Sequence, residues 1–185
     1  MSRHQLPVRP GCLTVSLVAF MVLSLQTIAP AVADQTAISS ASITLVGGGL
    51  SITAPSDAGN LGTSSNQVGA TTVSGQLGAV QVTDSRSAPA GAGWTATAIS
   101  TAFTPPSGPA IGAASVGYTA GTITKVGTAT YTPNDPANLT GVSPVVTATE
   151  ITGDNTATWN PTIHVAVGAN MAAGVYLGPI THSVS

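Results

Sequence analysis

Short runs in which apolar and polar residues alternate recur along the chain, separated at intervals of roughly ten residues by clusters of Gly, Pro, Asn and Asp. Alternation of this kind sends successive side chains to opposite faces of a strand. Strands spaced in this way are typical of sandwiches and barrels. No segment beyond residue 33 has a convincing helical period. The pattern therefore predicts an all-β fold, an antiparallel Ig-like β-sandwich or barrel.

The first two strands are predicted to form a hairpin. Ile43 and Leu45 alternate with their neighbours, three glycines follow at 47–49, and Leu50 and Ile52 resume the alternation. Glycine runs between two such segments favour a tight reversal.

Trp94 opens another strand, on which Thr95, Thr97, Ile99 and Thr101 share one face. A long C-terminal hairpin is predicted as the last element. Further strands are predicted near 71–74, 80–84, 115–118, 122–131 and 145–151, and the two arms of the C-terminal hairpin at 163–167 and 175–184.

The first 33 residues are predicted to be a cleaved secretory signal peptide. Two arginines and no acid precede the apolar run Leu13–Ile28, which ends near the small-residue site Ala31–Ala33. The run is shorter than the roughly 20 apolar residues that span a bilayer. The single cysteine, Cys12, leaves with the leader, so the exported domain, residues 34–185, has no disulfide.

Charge is scarce, since four basic and six acidic residues make up only 5% of the 185 residues. Soluble domains usually contain about 25% charged residues. So few cations cannot form the basic patch that nucleic-acid binding requires. With 43% apolar residues, the chain also differs from the weakly hydrophobic, highly charged composition typical of disorder. We expect a folded domain with no nucleic-acid partner.

The residues that could perform chemistry are few. His164 alternates with apolar neighbours and is predicted to face solvent, whereas His182 is predicted to be partly buried. Either histidine could form a candidate catalytic or metal-binding pair with Asp154 or Glu150, but the sequence has no spacing typical of a metal site. We expect no catalytic residues, no metal and no cofactor, and hence a protein that is not an enzyme.

Five segments together resemble the WxL-domain family of Gram-positive cell-surface proteins, in a diverged form of actinobacterial type. They are Val80–Arg86 (VTDSR at its end), Gly91–Thr97, Ala157–Ile163, Ala173–Gly178 and Ile180–Val184. The resemblance covers roughly residues 43–185. The family has an aliphatic residue two positions after each Trp, where this chain has Ala and Pro.

The resemblance implies a single all-β domain that binds peptidoglycan or another cell-wall glycan non-covalently. Other surface proteins are a further class of partner that it implies. With the leader, it predicts a secreted protein, extracellular or associated with the cell wall, that has no transmembrane anchor.

Four residues in the resembling segments are candidate ligand contacts: Trp94, Trp159, Asp84 and Arg86. An indole offers a broad face for stacking on a sugar ring, but a sandwich core also uses buried Trp, and both interpretations stay open. A stacking role predicts that Trp→Ala reduces wall retention without unfolding the domain. Asp84 and Arg86, two residues apart at a strand end, either contact ligand or form an exposed pair that braces the glycine loop before Trp94.

Two other functions are compatible with the sequence. Strand edges with few charges suit an adhesin-like or pilus-like subunit that assembles through its sheet edges. A secreted hydrolase would require activity that depends on His164 or Asp154.

Overall fold

The structure, a computed structural model, describes residues 40–65 and 69–185. The predicted leader and Cys12 lie outside the described residues. A compact unit spans Thr44–Ser185. Its described part is all-β apart from a 3₁₀ turn at Ala113–Ser115, which confirms the predicted fold class. Within the described residues, no helix has the length and apolar character needed to cross a bilayer.

The strands are β1 (Leu50–Thr53), β2 (Thr71–Gln76), β3 (Val80–Asp84), β4 (Ala92–Ser100), β5 (Val116–Thr119), β6 (Ile123–Pro133), β7 (Ser143–Trp159), β8 (Thr162–Val167) and β9 (Ile180–Val184).

Six of these strands form an antiparallel sheet in which β7 is the central element. The order is β1-β3-β7-β4-β9. Strand β3 pairs with residues 155–159 of β7 and β4 pairs with residues 143–151, while β6 runs along the opposite edge of β7. Strands β1 and β9 approach each other, so the sheet is nearly closed in a barrel-like manner.

A second, three-stranded antiparallel sheet, in the order β2-β8-β5, contributes to the same core. Apolar side chains that alternate along the strands fill the space between the sheets, as the period-two pattern predicts. The largest buried core side chains are Trp94, Phe103, Ile111, Tyr118, Leu139, Ile151, Trp159 and Ile163.

The predicted first hairpin is wrong. Residues 43–49 form no strand, and β1 pairs instead with β3, Leu50 opposite Asp84. The glycines serve a close approach: Gly48 N–H donates to Ser85 O at 2.6 Å, and a Cβ at Gly48 would lie 2.7 Å from the Cβ of Ser85. The three glycines therefore run beside another segment and do not turn the chain between two strands.

The predicted C-terminal hairpin is also wrong, although both of its arms contain strands. Strand β8 lies in the three-stranded sheet and β9 pairs with β4 in the six-stranded sheet. The connecting residues 168–179 cross from one sheet to the other. Alternation had identified the inward face of β8 correctly, since Ile163 and Val165 are buried.

Candidate functional site

Asp84 and Arg86 form a two-pronged ion pair. Arg86 Nε donates to Asp84 Oδ1 at 2.8 Å and Arg86 Nη2 donates to Asp84 Oδ2 at 2.9 Å. The same Nη2 donates to Gly93 O at 3.2 Å, so the pair braces the glycine loop before Trp94 as the structural interpretation predicted. The hydrogen bonds from Arg86 lower the pKa of Asp84 despite its burial.

The pair is not the exposed pair that the sequence suggested, because the Asp84 side chain is fully buried. Asn155 Nδ2 donates to Asp84 Oδ2 at 3.4 Å. Asn155 Oδ1 in turn accepts hydrogen bonds from Trp94 Nε1 at 3.2 Å and from the Tyr131 hydroxyl at 3.0 Å. A buried carboxylate needs several donors to compensate for its lost hydration. This buried network therefore ties β3, β4, β6 and β7 together.

Sequence reasoning missed Asn155 and Tyr131. Asn155 lies on a strand in which buried and less buried residues alternate. This alternation places its side chain on the inward face, and it is the signal that could have identified Asn155 as a buried polar residue. Tyr131 packs its ring against Trp94, with ring centroids 5.7 Å apart.

Trp159 takes part in a second buried chain of hydrogen bonds that connects the two sheets. Trp159 Nε1 donates to the Tyr118 hydroxyl oxygen at 2.8 Å, and that hydroxyl lies 3.2 Å from His182 Nε2. Tyr118 belongs to β5, whereas Trp159 and His182 belong to β7 and β9. The chain therefore cross-links the sheets through polar contacts inside the apolar core.

The state of His182 follows from this chain. The indole can only donate, so the Tyr118 hydroxyl keeps its own proton, and it shares a hydrogen bond with His182 Nε2 in which the imidazole tautomer decides which group donates. His182 Nδ1 is buried and has no hydrogen-bond partner among the residues that the structure describes. Burial lowers the pKa of His182 to about 4, so the ring is neutral near pH 7. The prediction that His182 is partly buried is confirmed.

Neither tryptophan can act as the stacking platform that the sequence left open. Trp94 is 3% exposed and Trp159 is 2% exposed, and both indole N–H groups are used inside the protein. A domain without disulfides needs large core side chains, which explains the burial. Truncating such a residue costs about 3–5 kcal/mol. Lost wall retention in a Trp→Ala variant would therefore report unfolding.

The other candidate chemical groups are engaged in local structure. His164 lies on the outer side of β8 between two hydroxyls, Ser74 Oγ at 2.9 Å and Thr119 Oγ1 at 3.2 Å. Asp154 Oδ1 accepts from Ser87 N–H at 2.9 Å. Glu150 accepts from a threonine hydroxyl at 2.7 Å. Among the described residues, no three His, Cys, Asp or Glu side chains are grouped to hold a metal ion.

One outer face of the six-stranded sheet is covered by short uncharged side chains, mostly hydroxyl-bearing, and we name it the threonine face. It lies on β1, β3, β7 and β6, and on the first three of these strands the alternate residues point inward to the core. One row across the strands is Thr53, Gln81, Thr158 and Thr124, and the next is Ser51, Thr83, Thr156 and Val126.

The geometry of the threonine face is regular. Side chains on neighbouring strands repeat about every 4.8 Å, and those on one face of a strand repeat roughly every 6.6 Å. Gln81 Nε2 donates to Thr158 Oγ1 at 2.9 Å, and this hydrogen bond orders part of the first row. The outward Thr and Ser side chains of these strands thus form an ordered array.

A separate cleft of about 1020 Å³ opens beside the three-stranded sheet, and we refer to it as the cleft. Its inner wall is apolar and includes Val73, Val165 and Phe103. The loop 54–65 and the segment 171–180 form its sides, and Asp57 is the one charged residue among the lining residues that the structure describes.

Comparisons with known proteins do not assign either surface. The chain matches no family model, no curated protein and no solved structure.

Proposed function

We propose that the protein is an exported, non-catalytic WxL-type surface domain that binds the cell wall non-covalently, and that the threonine face is its binding surface. Peptidoglycan, or another wall glycan, is the proposed ligand. The observation that carries the proposal is the double row of outward, uncharged side chains across four adjacent strands, in which seven of the eight positions are polar and the eighth is Val126.

The chemistry of the threonine face suits a glycan strand. Each Thr or Ser hydroxyl is one donor and two acceptors, and it can exchange hydrogen bonds with the hydroxyl and amide groups of an amino-sugar polymer. The two rows carry no charge, so contact requires no desolvation of ions, which is expensive. The threonine methyl groups add apolar contact with the sugar rings.

Retention on this face depends on several weak contacts formed together. A hydrogen bond contributes about 0.5–1.5 kcal/mol net, which is too little for binding by one residue. A polymer that lies across several rows engages many hydroxyls, and the rigid sheet holds their spacing before binding. The indoles and the Asp84–Arg86 pair support this surface from beneath by fixing the strands.

Sedimentation with purified peptidoglycan tests the proposal. The variant Thr83→Val/Thr156→Val keeps the shape and strand propensity of both side chains but removes two hydroxyls from one row. We expect about tenfold weaker binding than wild type, since two lost hydrogen bonds account for a change of this order. The matched control, Thr72→Val/Thr101→Val, changes exposed threonines outside the face.

The two pairs of variants give an unambiguous comparison. Equal wall binding by the face variant and the control, with both folded by circular dichroism, would refute the threonine face as the binding surface. Recovery of the wild type only in the supernatant would refute wall binding itself.

We keep assembly into a larger structure as a second candidate function, but not through the long free edge of β6. That edge carries Lys125, a bulge at Gly127 and Pro133 at its end. Charges, bulges and proline are the usual protections against pairing between sheet edges. The observation that favours assembly is a group of exposed apolar residues elsewhere.

A further inference from the structure

The cleft is a place where the apolar core is left open between the two sheets. Val73 and Val165 line it from the three-stranded sheet, and Ile180 lines it from the six-stranded sheet. Val175 and Leu177, which are 70% and 71% exposed, also belong to its lining. Apolar side chains that are exposed around a concave opening mark a binding site.

We propose that the cleft binds one molecule of an uncharged amphiphile with a single aliphatic chain, such as a monoacylglycerol. The chain lies on the inner wall, and the polar head group lies at the loop 54–65. The proposal goes beyond wall attachment and does not rest on it, because the cleft and the threonine face have no residue in common.

The volume of the cleft fits a ligand of this size. At about 1020 Å³ it lies at the upper limit of the roughly 300–1,000 Å³ that small-molecule sites occupy. Its inner side chains are mainly branched aliphatic ones, such as Val73, Val165 and Ile180. A flexible aliphatic chain can adapt its shape to such a wall and cover it.

The inner wall offers few hydrogen bonds to water. The Tyr176 hydroxyl donates to Ala172 O at 2.9 Å, and His182 Nε2 shares a hydrogen bond with the Tyr118 hydroxyl at 3.2 Å. These polar atoms are therefore already engaged within the protein. A buried water typically makes about three hydrogen bonds, so water against this wall is poorly held. Its displacement by an aliphatic chain favours binding.

The charges of the cleft favour an uncharged head group. Asp57 is the one charged residue among the lining residues that the structure describes, so an anionic head group would lose hydration without contacting a cation. Asp57 is exposed and its Oδ1 accepts from Gly59 N–H at 2.8 Å, so it contributes little to binding a cation. Ser56, Asn60 and Thr63 of the same loop also line the cleft, and their hydroxyl and amide groups can exchange hydrogen bonds with a neutral head group.

Two glycines fit the sides of the cleft closely to its wall. A Cβ at Gly75 would collide with the carbonyl of Leu61, so this glycine allows the loop 54–65 to lie directly on β2. On the other side, a Cβ at Gly178 would lie 2.6 Å from Phe103 Cδ2. The sides are therefore packed in place without a ligand, which reduces the entropy lost on binding.

Isothermal titration calorimetry with monoacylglycerols tests the proposal on protein that is expressed with its own leader and purified after processing. Monooctanoyl-, monodecanoyl- and monolauroylglycerol share one head group and differ by two CH₂ groups at each step. We expect one bound molecule per protein and about tenfold tighter binding at each step, because each buried CH₂ strengthens binding about fourfold at most. No binding of monolauroylglycerol below its micelle-forming concentration, or an affinity independent of chain length, would overturn the proposal.

Laurate and dodecyltrimethylammonium test the charge of the head group at about pH 8, where laurate is ionised. Both carry a chain of the same length as monolauroylglycerol, and we expect each to bind at least tenfold more weakly. Equal or tighter binding of either ion would contradict the assignment of an uncharged ligand.

A double variant tests the location of the site. Val175→Asp/Leu177→Asp places two charges in the lining of the cleft, and we expect it to bind monolauroylglycerol at least tenfold more weakly than wild type. The matched control, Val126→Asp/Val142→Asp, changes two valines outside the cleft that are 70% and 67% exposed, and should bind like wild type. All four positions are exposed, so the fold is retained, as circular dichroism checks. Equal binding by the two double variants would show that the ligand does not occupy the cleft.

Analytical ultracentrifugation and the peptidoglycan assay separate this proposal from the other functions. Self-association of the unliganded wild type that disappears in Val175→Asp/Leu177→Asp would mean that a second copy occupies the cleft, and it would refute amphiphile binding. The same variant should sediment with peptidoglycan like wild type, because its threonine face is unchanged. Amphiphile binding by a wild type that does not bind peptidoglycan would support the cleft site and refute only the proposed function.

Discussion

At the scale of single residues, the side chains that the sequence singled out for ligand contact are the ones that organise the interior. Trp94 and Asp84 share Asn155 as a partner, and Trp159 reaches His182 through Tyr118. The sequence predicted the Asp84–Arg86 pair from its spacing. It could not predict the burial of the Asp84 carboxylate, since that depends on strands distant in sequence.

His182 makes the stability of the protein depend on pH. Its pKa is about 4 in the folded protein and 6.5 in its ordinary state, because burial disfavours the charged ring. Between these values the unfolded chain binds a proton that the folded chain does not, so stability falls as the pH is lowered from 6.5 to 4. The uptake of one such proton changes the free energy of unfolding by at most about 1.4 kcal/mol per pH unit.

Urea denaturation across this pH range checks the prediction with wild type and His182→Gln. Glutamine can still hydrogen-bond with the Tyr118 hydroxyl but does not titrate, so the stability of the variant should depend less steeply on pH. Asp84 does not interfere, because its pKa is lowered from the ordinary value of 3.8. The stability that its ionised form contributes is present above pH 3.8 and is lost only as the pH falls below that value. Identical slopes for the two proteins would contradict the assignment of His182 as a buried neutral ring.

At the scale of elements, alternation located the strands better than it located their partners. The alternation on β3 and β8 indicated the correct inward residues, whereas on β4 the face that it singled out, with Thr95, Thr97 and Ile99, is the outer one. Both hairpin predictions are wrong because a two-residue alternation indicates which side of a strand is buried. It does not indicate which strand lies beside it. The segment around Leu45 alternates like a strand and yet has no partner within the described residues.

Strand β7 was predicted as 145–151, but it continues to Trp159.

Gly127 on β6 lies at the irregular part of the β6–β7 pairing, with a φ of +90°. A Cβ there would come within 2.5 Å of Asp154 O. Only glycine adopts this conformation and approach without strain.

Gly127→Ala is therefore expected to lower the free energy of unfolding by about 1–3 kcal/mol. Gly141→Ala provides the control, since a Cβ there meets no atom within 4 Å and its φ is not in the left-handed region. Thermal denaturation of both variants measures the difference. A Gly127→Ala protein as stable as Gly141→Ala would show that the bulge of β6 tolerates a side chain.

At the scale of the whole molecule, scarcity of charge is the property that connects composition to surface. Side chains such as Thr156 occupy outer positions that Lys and Glu hold in most domains. The sequence indicated such faces by alternation, but the alignment of Thr83 with Thr156 across strands required the register of the fold. The cleft arises where a long connection crosses between sheets, which local sequence does not specify.

The most direct measurement of the central claim is NMR of protein labelled at its threonine methyl groups, with solubilised peptidoglycan fragments added. Binding at the threonine face predicts that the signals of Thr83, Thr156 and Thr158 shift or broaden, while those of Thr72 and Thr101 stay unchanged. Perturbation confined to the methyl groups outside the threonine face, or no perturbation at saturating fragment, would contradict the account.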